Sequence, residues 1–173
     1  APPCGMRPMG KLSDRWRDPD FLDAAHAWIA DRLTEQGRSV VGTIEQPHVT
    51  DWSTVMRVPT NGGPVWFKAN DETMRHEAAV TSLVAPLSSG RVPAPLASDP
   101  RSGWFLLVDA GPRLRDVIVE ERSLERWHDV LEAYARIQVA CEDEVDALLA
   151  AGLADRRLPT LPGAYDALLA QLD

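Results

Sequence analysis

The pattern of apolar and polar positions divides the chain into a first part with one helix and several strands, and a later part with helices only. Within "DPDFLDAAHAWIADRLTEQG", residues 18–37, apolar side chains recur at the spacing of one helix face. They are Phe21, Leu22, Ala25, Trp28, Ile29 and Leu33. Asp18 suits the N-cap, Pro19 suits the first helical position, and Gly37 follows the last turn. This segment is therefore predicted to form a helix.

From Ser39 onwards, runs of β-branched residues predict five strands. The first two are "SVVGTIEQPHV" and "STVMRVPT", joined by a short loop at residues 50–52. "TNGGP" predicts a hairpin turn in which Asn61 and Gly62 take positive φ, and "VWFKAN" is the return strand. "DETMRHEAAVTSLVAPL" is predicted to be one helix that begins near Asp71. "RVPAPLASD" and "GWFLLVD" are the last two strands, separated by the turn "DPRSG".

After Gly111 and Pro112 the pattern changes to a short linker and then helices. "SLERWHDVLEAYARIQVAC" is amphipathic, with Ser123 as its cap, and "EDEVDALLAAG" and "GAYDALLAQLD" are shorter helical segments. Grouped strands followed by a helical block predict an α+β fold with a boundary near residues 109–112. We therefore divide the chain into a disordered tail (1–17), a strand-containing unit (18–111) and a helical unit (112–173).

Composition narrows the possible partners. The chain has 173 residues and a formal net charge of -8, which disfavours a role in binding nucleic acid or an anionic membrane surface. No apolar run approaches the ~20 residues of a membrane span, and the start "APPCGMRPMGKL" has no signal-peptide core. Two cysteines and four scattered histidines provide neither a disulfide framework nor a metal-ligand spacing. We expect a cytoplasmic protein without a metal site in this chain.

One charged residue stands out because of where it lies. Lys68 closes the apolar run at residues 65–67, and lysines are rarely buried unless they are paired. Glu77 follows nine residues later, inside the predicted helix. Two interpretations are open: the Lys68 ammonium simply reaches water at a strand end while Glu77 lies on a wet helix face, or the two pair to meet something negative.

The order of these segments resembles the first half of an aminoglycoside phosphotransferase-type kinase, from about Val40 onwards. The resemblance rests on "VWFKA" as a lysine strand, "HEAAVTSLVAPL" as a glutamate helix, and "VPAPLASDPRSGWFLLVDAGPRLRDV" as the last two strands and the hinge. It implies a protein-kinase-like N-lobe, in which a five-stranded antiparallel sheet packs against a helix. The first helices of a C-lobe would follow.

The resemblance also implies a nucleotide site. Lys68 would contact the α and β phosphates of the nucleotide, and Glu77 would hold its ammonium. Backbone groups near Val108, Asp109 and Ala110 would contact the adenine edge; as an alternative, these residues are a simple linker.

Two further residues are assigned to this site. The loop "HVTDWSTV" would fold over the phosphates, with Ser53 as a candidate donor, although it lacks glycine and is equally compatible with a plain hairpin loop. Side chains alternate along a strand, so Trp66 is predicted to share the face of Lys68. There it would either stack on the base or fill the pocket.

The transfer chemistry of this family is not represented in the sequence. No H-G-D-x-x-x-x-N loop occurs, so we assign no catalytic residue and no Mg²⁺ ligand to this chain. The predicted function is the nucleotide-binding portion of an ATP- or GTP-dependent, Mg²⁺-dependent phosphotransferase that phosphorylates the hydroxyl of an unidentified small molecule, and the chain alone is expected to be inactive.

Two alternatives to this function are a non-catalytic kinase-like module that binds nucleotide or protein, and an unrelated α+β domain with a chance Lys/Glu pair. We also expect self-association through the helical unit around Trp127, Leu131 and Tyr134, because their apolar side chains would lie at its surface.

Overall fold

The computed structural model describes residues 12–170 and shows an α+β fold built on a five-stranded antiparallel sheet. The strands lie in the order β1-β2-β3-β5-β4. Their bounds are Glu45–Val49 (β1), Ser53–Val58 (β2), Val65–Asn70 (β3), Ala97–Asp99 (β4) and Trp104–Val108 (β5). The helices are Pro19–Thr34 (α1), Glu77–Leu87 (α2), Leu114–Glu121 (α3), Arg126–Ala140 (α4), Val145–Ala150 (α5) and Leu161–Leu169 (α6).

The first helix forms as predicted and covers one face of the sheet. The Asp18 carboxylate accepts a hydrogen bond from the Asp20 N–H at 2.9 Å, Pro19 opens α1, and Gly37 adopts φ +68° after its end. The apolar stripe of α1 is buried against apolar side chains of the three central strands. The core consists of Trp16, Ala25, Ile29, Leu33, Met56, Val58, Val65, Phe67, Ala69 and Leu106. Removal of this apolar surface from water is the main stabilising contribution to the fold.

The alternation of side chains along β3 separates this core from the other face. Val65, Phe67 and Ala69 are fully buried against the α1 side, whereas Trp66 and Lys68 are only partly buried. Lys68 pairs with Val55 on β2 and with Phe105 on β5. The prediction that Trp66 and Lys68 share a face is therefore confirmed.

The first predicted strand is shorter than its sequence pattern. Residues 39–44 lie outside β1, and Val40 makes only an isolated bridge with Thr60. The Val41 N–H donates to the Pro59 carbonyl at 3.0 Å, but Pro59 has no N–H to return a bond. A continuous ladder cannot extend through this position, so the prediction of one strand over 39–49 is wrong for its first half.

The turn between β2 and β3 differs from the prediction in its backbone. Positive φ occurs at Gly63 (+93°), not at Asn61 or Gly62. The Gly63 N–H donates to the Thr60 carbonyl at 3.1 Å, which closes a four-residue turn and places the left-handed residue at its last position. The Asn61 side chain instead accepts from the Ser39 N–H at 3.0 Å, which fastens the preceding segment to the turn.

The helix predicted over residues 71–87 is divided into two pieces. The Asp71 carboxylate accepts hydrogen bonds from the N–H groups of Thr73 (3.0 Å) and Met74 (3.3 Å) and caps a single 3-10 turn at Glu72–Met74. The α-helix α2 begins only at Glu77. The Asp71 cap thus starts a separate 3-10 turn, and Arg75 and His76 lie between this turn and α2.

Helix α3 occupies part of what was predicted to be a linker. It has only eight residues, no side chain caps its start, and it ends at Arg122 with φ +50°. An exposed ion pair between Arg113 and Asp116 at 2.9 Å lies at its first turn. With neither a cap nor a long apolar period, the sequence gives no helix signal here.

The segment before α1 is ordered, contrary to the prediction of a disordered tail over residues 1–17. Leu12–Arg17 form a 3-10 helix in which Trp16 is buried. The Trp16 Nε1–H donates to the Thr50 carbonyl at 2.9 Å, and its ring meets Phe21 edge-on at 5.2 Å. Residues 1–11, the remainder of the predicted tail, lie outside the described residues.

The later helices leave much apolar surface in contact with solvent. Trp127, Leu131 and Tyr134 on α4 are 43%, 57% and 58% exposed, and every residue of α6 is exposed. Within residues 12–170, no helix has both the length and the apolar character needed to cross a membrane.

The burial of Trp16 leads to a stability prediction. Trp16→Ala should lower the free energy of unfolding by about 3–5 kcal/mol, because it leaves a cavity between the 3-10 helix and the sheet. Urea unfolding measures this change. Trp52→Ala is the matched control, because Trp52 lies on the adjoining loop with 54% exposure and its loss should change stability by roughly 0.5 kcal/mol or less. Equal effects of the two changes would contradict the packing of Trp16.

Candidate functional site

Lys68 and Glu77 form an ion pair that joins β3 to α2. The Lys68 ammonium lies 2.6 Å from each carboxylate oxygen of Glu77, so the contact expected from the sequence is present. The two side chains are 27% and 30% exposed, and the neighbouring Phe105 is fully buried. The ammonium therefore lies beside apolar surface but remains reachable from solvent.

Asn70 adds a third side chain to this pair. Its amide Nδ2 donates to Glu77 Oε2 at 2.9 Å, and the residue is only 4% exposed. Asn70 was not selected from the sequence, although it lies two residues after Lys68 on the same strand and therefore on the same face. That spacing is the signal by which it could have been found.

Asp71 fixes the connection between the lysine strand and the glutamate helix. Its N–H donates to the Trp52 carbonyl at 2.8 Å, and its carboxylate lies 3.5 Å from the Arg15 guanidinium. Burial by itself would raise the pKa of Asp71. Hydrogen bonds from the Thr73 hydroxyl and from two backbone N–H groups, together with the charge of Arg15, nevertheless hold the pKa below its usual range.

The loop between β1 and β2 does not present Ser53 to a ligand. Ser53 is buried, its N–H donates to the Thr50 hydroxyl oxygen at 3.1 Å, and the two hydroxyls lie 3.3 Å apart. The Arg15 guanidinium also donates to the Asp51 carbonyl at 2.6 Å and holds the loop from outside. The donors of Ser53 are therefore engaged within the loop, and the exposed residues at its tip are Asp51 and Trp52.

The predicted hinge lies at the end of β5. Val108 is the last residue of this strand and pairs with Val65, at the opposite end of β3 from Asn70. Asp109 accepts a hydrogen bond from the Gly111 N–H at 2.9 Å, and Ala110 is exposed. Pairing with β4 ends at Leu106, so within the described part of the chain no strand lies beside Val108 on that side.

Trp66 lies between the hinge and Lys68 on the same face of the sheet. It pairs with Leu107 on β5 and with Arg57 on β2 and is partly buried. Five cavities in residues 12–170 are lined by other residues, and none of them includes Trp66, Lys68 or Glu77. The structure thus brings Trp66, Lys68 and Glu77 onto one side of the sheet without enclosing them in one of these cavities.

The described residues contain no group of three or more His, Cys, Asp or Glu side chains placed to hold a metal ion. Comparison of the sequence with models of known protein families and with curated proteins finds no match.

The lowered pKa of Asp71 leads to a prediction about pH. A carboxylate with a pKa lowered by folding stabilises the fold above its unfolded pKa, and this contribution is lost as pH falls through the folded value. At pH 7, Asp71→Ala should lower the free energy of unfolding by about 0.5–2 kcal/mol, the usual effect of losing an N-cap. The difference from the unsubstituted chain should shrink as pH falls from about 5 towards 2.

Urea unfolding at several pH values measures this difference. Asp71→Asn is the matched control, because it keeps an acceptor oxygen at the cap but cannot ionise. The Asp71→Asn chain should retain most of the free energy of unfolding at pH 7, and it should lack the part of that free energy that depends on ionisation of Asp71. A difference between Asp71→Ala and the unsubstituted chain that stays constant over this pH range would contradict the assigned role of the carboxylate.

Proposed function

We propose that this chain binds ATP or GTP and forms the nucleotide-binding portion of a phosphotransferase that acts on the hydroxyl of a small molecule. In this proposal the sheet and α2 form a protein-kinase-like N-lobe. The observation that carries the proposal is the ion pair between Lys68 and Glu77, because a lysine held by a helix carboxylate beside an open sheet face is suited to binding phosphate.

Phosphate binding in this proposal depends on the position of the Lys68 ammonium. A triphosphate bears several negative charges, and a positioned cation neutralises part of this charge with little reorganisation. The long stem of Lys68 would otherwise sample many rotamers, and Glu77 restricts them by accepting two hydrogen bonds. Because Lys68 keeps 27% exposure, a phosphate can approach without first opening the core.

The order of elements supports the same proposal. Helix α2 connects β3 to the β4–β5 hairpin, and β5 returns beside β3. Trp66 and Lys68 share the face opposite the core, whereas Val108 pairs with the core residue Val65, so the hinge could offer its backbone groups but not the Val108 side chain to this face. We propose that the backbone at Val108, Asp109 and Ala110 contacts the base while Lys68 contacts the phosphates. The groups that transfer the phosphoryl group and bind Mg²⁺ would belong to a catalytic loop that is not in this sequence.

A second candidate function is a non-catalytic module that uses the same face to bind nucleotide weakly or to bind protein. Two observations favour it: Trp66 occupies the face between Lys68 and the hinge, and the donors of Ser53 are engaged by Thr50. In either function we propose that the exposed side chains of α4 mediate self-association, because Trp127, Leu131 and Tyr134 present apolar surface to solvent.

The role of Lys68 is tested by comparing a nucleotide with its nucleoside. Lys68→Met should weaken ADP binding by roughly tenfold to a hundredfold, the usual effect of losing a charge-assisted hydrogen bond, and should leave adenosine binding unchanged. Calorimetric titration measures both affinities. Arg101→Met is the control, because Arg101 is an exposed cation in the β4–β5 turn and its loss should affect neither ligand. An equal loss of affinity for ADP and adenosine in Lys68→Met would contradict the proposal that Lys68 contacts the phosphates.

The role of Trp66 is tested by removing its ring. We expect Trp66→Ala to tighten ATP binding, because the indole is close to adenine in size and partly fills the space beside Lys68. If the ring instead stacks on the base, the same change should weaken binding several-fold, since such contacts contribute roughly 1 kcal/mol beyond area burial. Titration of both forms with ATP decides between these roles, and an unchanged affinity would place Trp66 outside the nucleotide site.

A further inference from the structure

Three side chains meet on the open face of the sheet, and they differ in how firmly each is held. Lys68 and Glu77 are long and partly exposed, whereas Asn70 is short and almost completely buried. Glu77 receives hydrogen bonds from both partners: two from the Lys68 ammonium and one from the Asn70 amide. Of the two donors to Glu77, the short and buried Asn70 side chain therefore has less conformational freedom than Lys68.

The backbone of Asn70 is fixed from two sides. It pairs with Ser53 on β2, and its N–H donates to the Gly103 carbonyl at 3.0 Å. Gly103 approaches so closely that a Cβ at this position would lie 2.9 Å from the Asn70 carbonyl oxygen. The amide of Asn70 consequently projects from a backbone that has little room to shift.

The orientation of this amide is determined by chemistry. Only its NH₂ end can donate to a carboxylate, so the bond to Glu77 places the nitrogen towards α2 and the oxygen away from it. Within residues 12–170 the buried Asn70 Oδ1 has no hydrogen-bond partner. The Asn70 amide thus donates a hydrogen bond to the Glu77 carboxylate while its own oxygen stays without a partner. Buried polar atoms without a hydrogen-bond partner are often found at functional sites.

We propose that Asn70 is a positioning residue that holds the Glu77 carboxylate in place independently of Lys68. The consequence rests on the proposed nucleotide function. When the Lys68 ammonium turns towards a phosphate, Glu77 loses hydrogen bonds from it, and the Asn70 amide keeps the carboxylate oriented so that it still restrains the lysine. Asn70 therefore acts on phosphate binding through Glu77 without contacting the nucleotide.

An exchange of the two polar groups tests this inference in the 173-residue chain. Asn70→Asp places a second carboxylate against Glu77, so ADP affinity should fall roughly tenfold while adenosine affinity stays unchanged. Glu77→Gln should also weaken ADP binding. The double variant Asn70→Asp/Glu77→Gln restores an amide–carboxylate hydrogen bond with its ends reversed, and ADP affinity should recover to within roughly threefold of the unsubstituted chain.

Two measurements separate this inference from the proposed function. Calorimetry gives the ADP and adenosine affinities, and urea unfolding of the four proteins gives the coupling between positions 70 and 77 without any ligand. A double variant whose losses equal the sum of the single losses in both measurements would overturn the role of Asn70. If the unsubstituted chain binds ADP no better than adenosine, the nucleotide function fails, and the unfolding cycle alone decides whether Asn70 holds Glu77.

A second variant keeps the test decisive if Asn70→Asp does not fold. Asn70→Leu removes the donor without adding a charge, and it should weaken ADP binding several-fold while adenosine binding is retained. Unchanged ADP affinity in a folded Asn70→Leu chain would contradict the inference, because Glu77 would then need no anchor other than Lys68.

Discussion

The ion pair between Lys68 and Glu77 joins the middle strand of the sheet to α2, and the other features of the candidate site are arranged around it. Ion pairs with this degree of exposure contribute only about 0–1 kcal/mol to stability, so the contact matters more for position than for the free energy of folding. Asn70 holds Glu77 from the strand, and Asp71 fixes the turn that leads into α2. The result is an ammonium with a defined location beside an open surface.

The two faces of the sheet differ in how completely they are buried. On one face, α1 and the 3-10 helix bury apolar side chains, and five aromatic rings meet there at centroid distances of 5.2–5.9 Å. They belong to Trp16, Phe21, Trp28, Phe67 and Trp104. On the other face, Trp66 and Lys68 are only partly buried, although they lie near the buried Phe105 and Asn70. Because β3 contributes alternate residues to both faces, a firmly packed strand positions Lys68 without burying it.

Local patterns predicted the parts of the fold that depend on local physics. The period of α1, its cap at Asp18 and the alternation in β3 could be predicted from the sequence. The pairing of Lys68 with Glu77 was implied by the resemblance to a kinase family. Long-range contacts could not be predicted in this way. The Trp16 Nε1–H donates a hydrogen bond to the Thr50 carbonyl, 34 residues away, and no sequence periodicity indicates this contact. The burial of Ser53 depends on hydrogen bonds inside its loop, which sequence spacing does not reveal.

The most direct test of the account is to observe the Lys68 ammonium itself. The chain has only two lysines, Lys11 and Lys68, so labelling lysine Nζ with ¹⁵N gives two NMR signals that Lys68→Met assigns. We predict that saturating ADP shifts the Lys68 signal, that adenosine leaves it in place, and that the Lys11 signal responds to neither ligand. A Lys68 signal that does not move with ADP, or that moves equally with adenosine, would contradict the claim that Glu77 holds this lysine for phosphate.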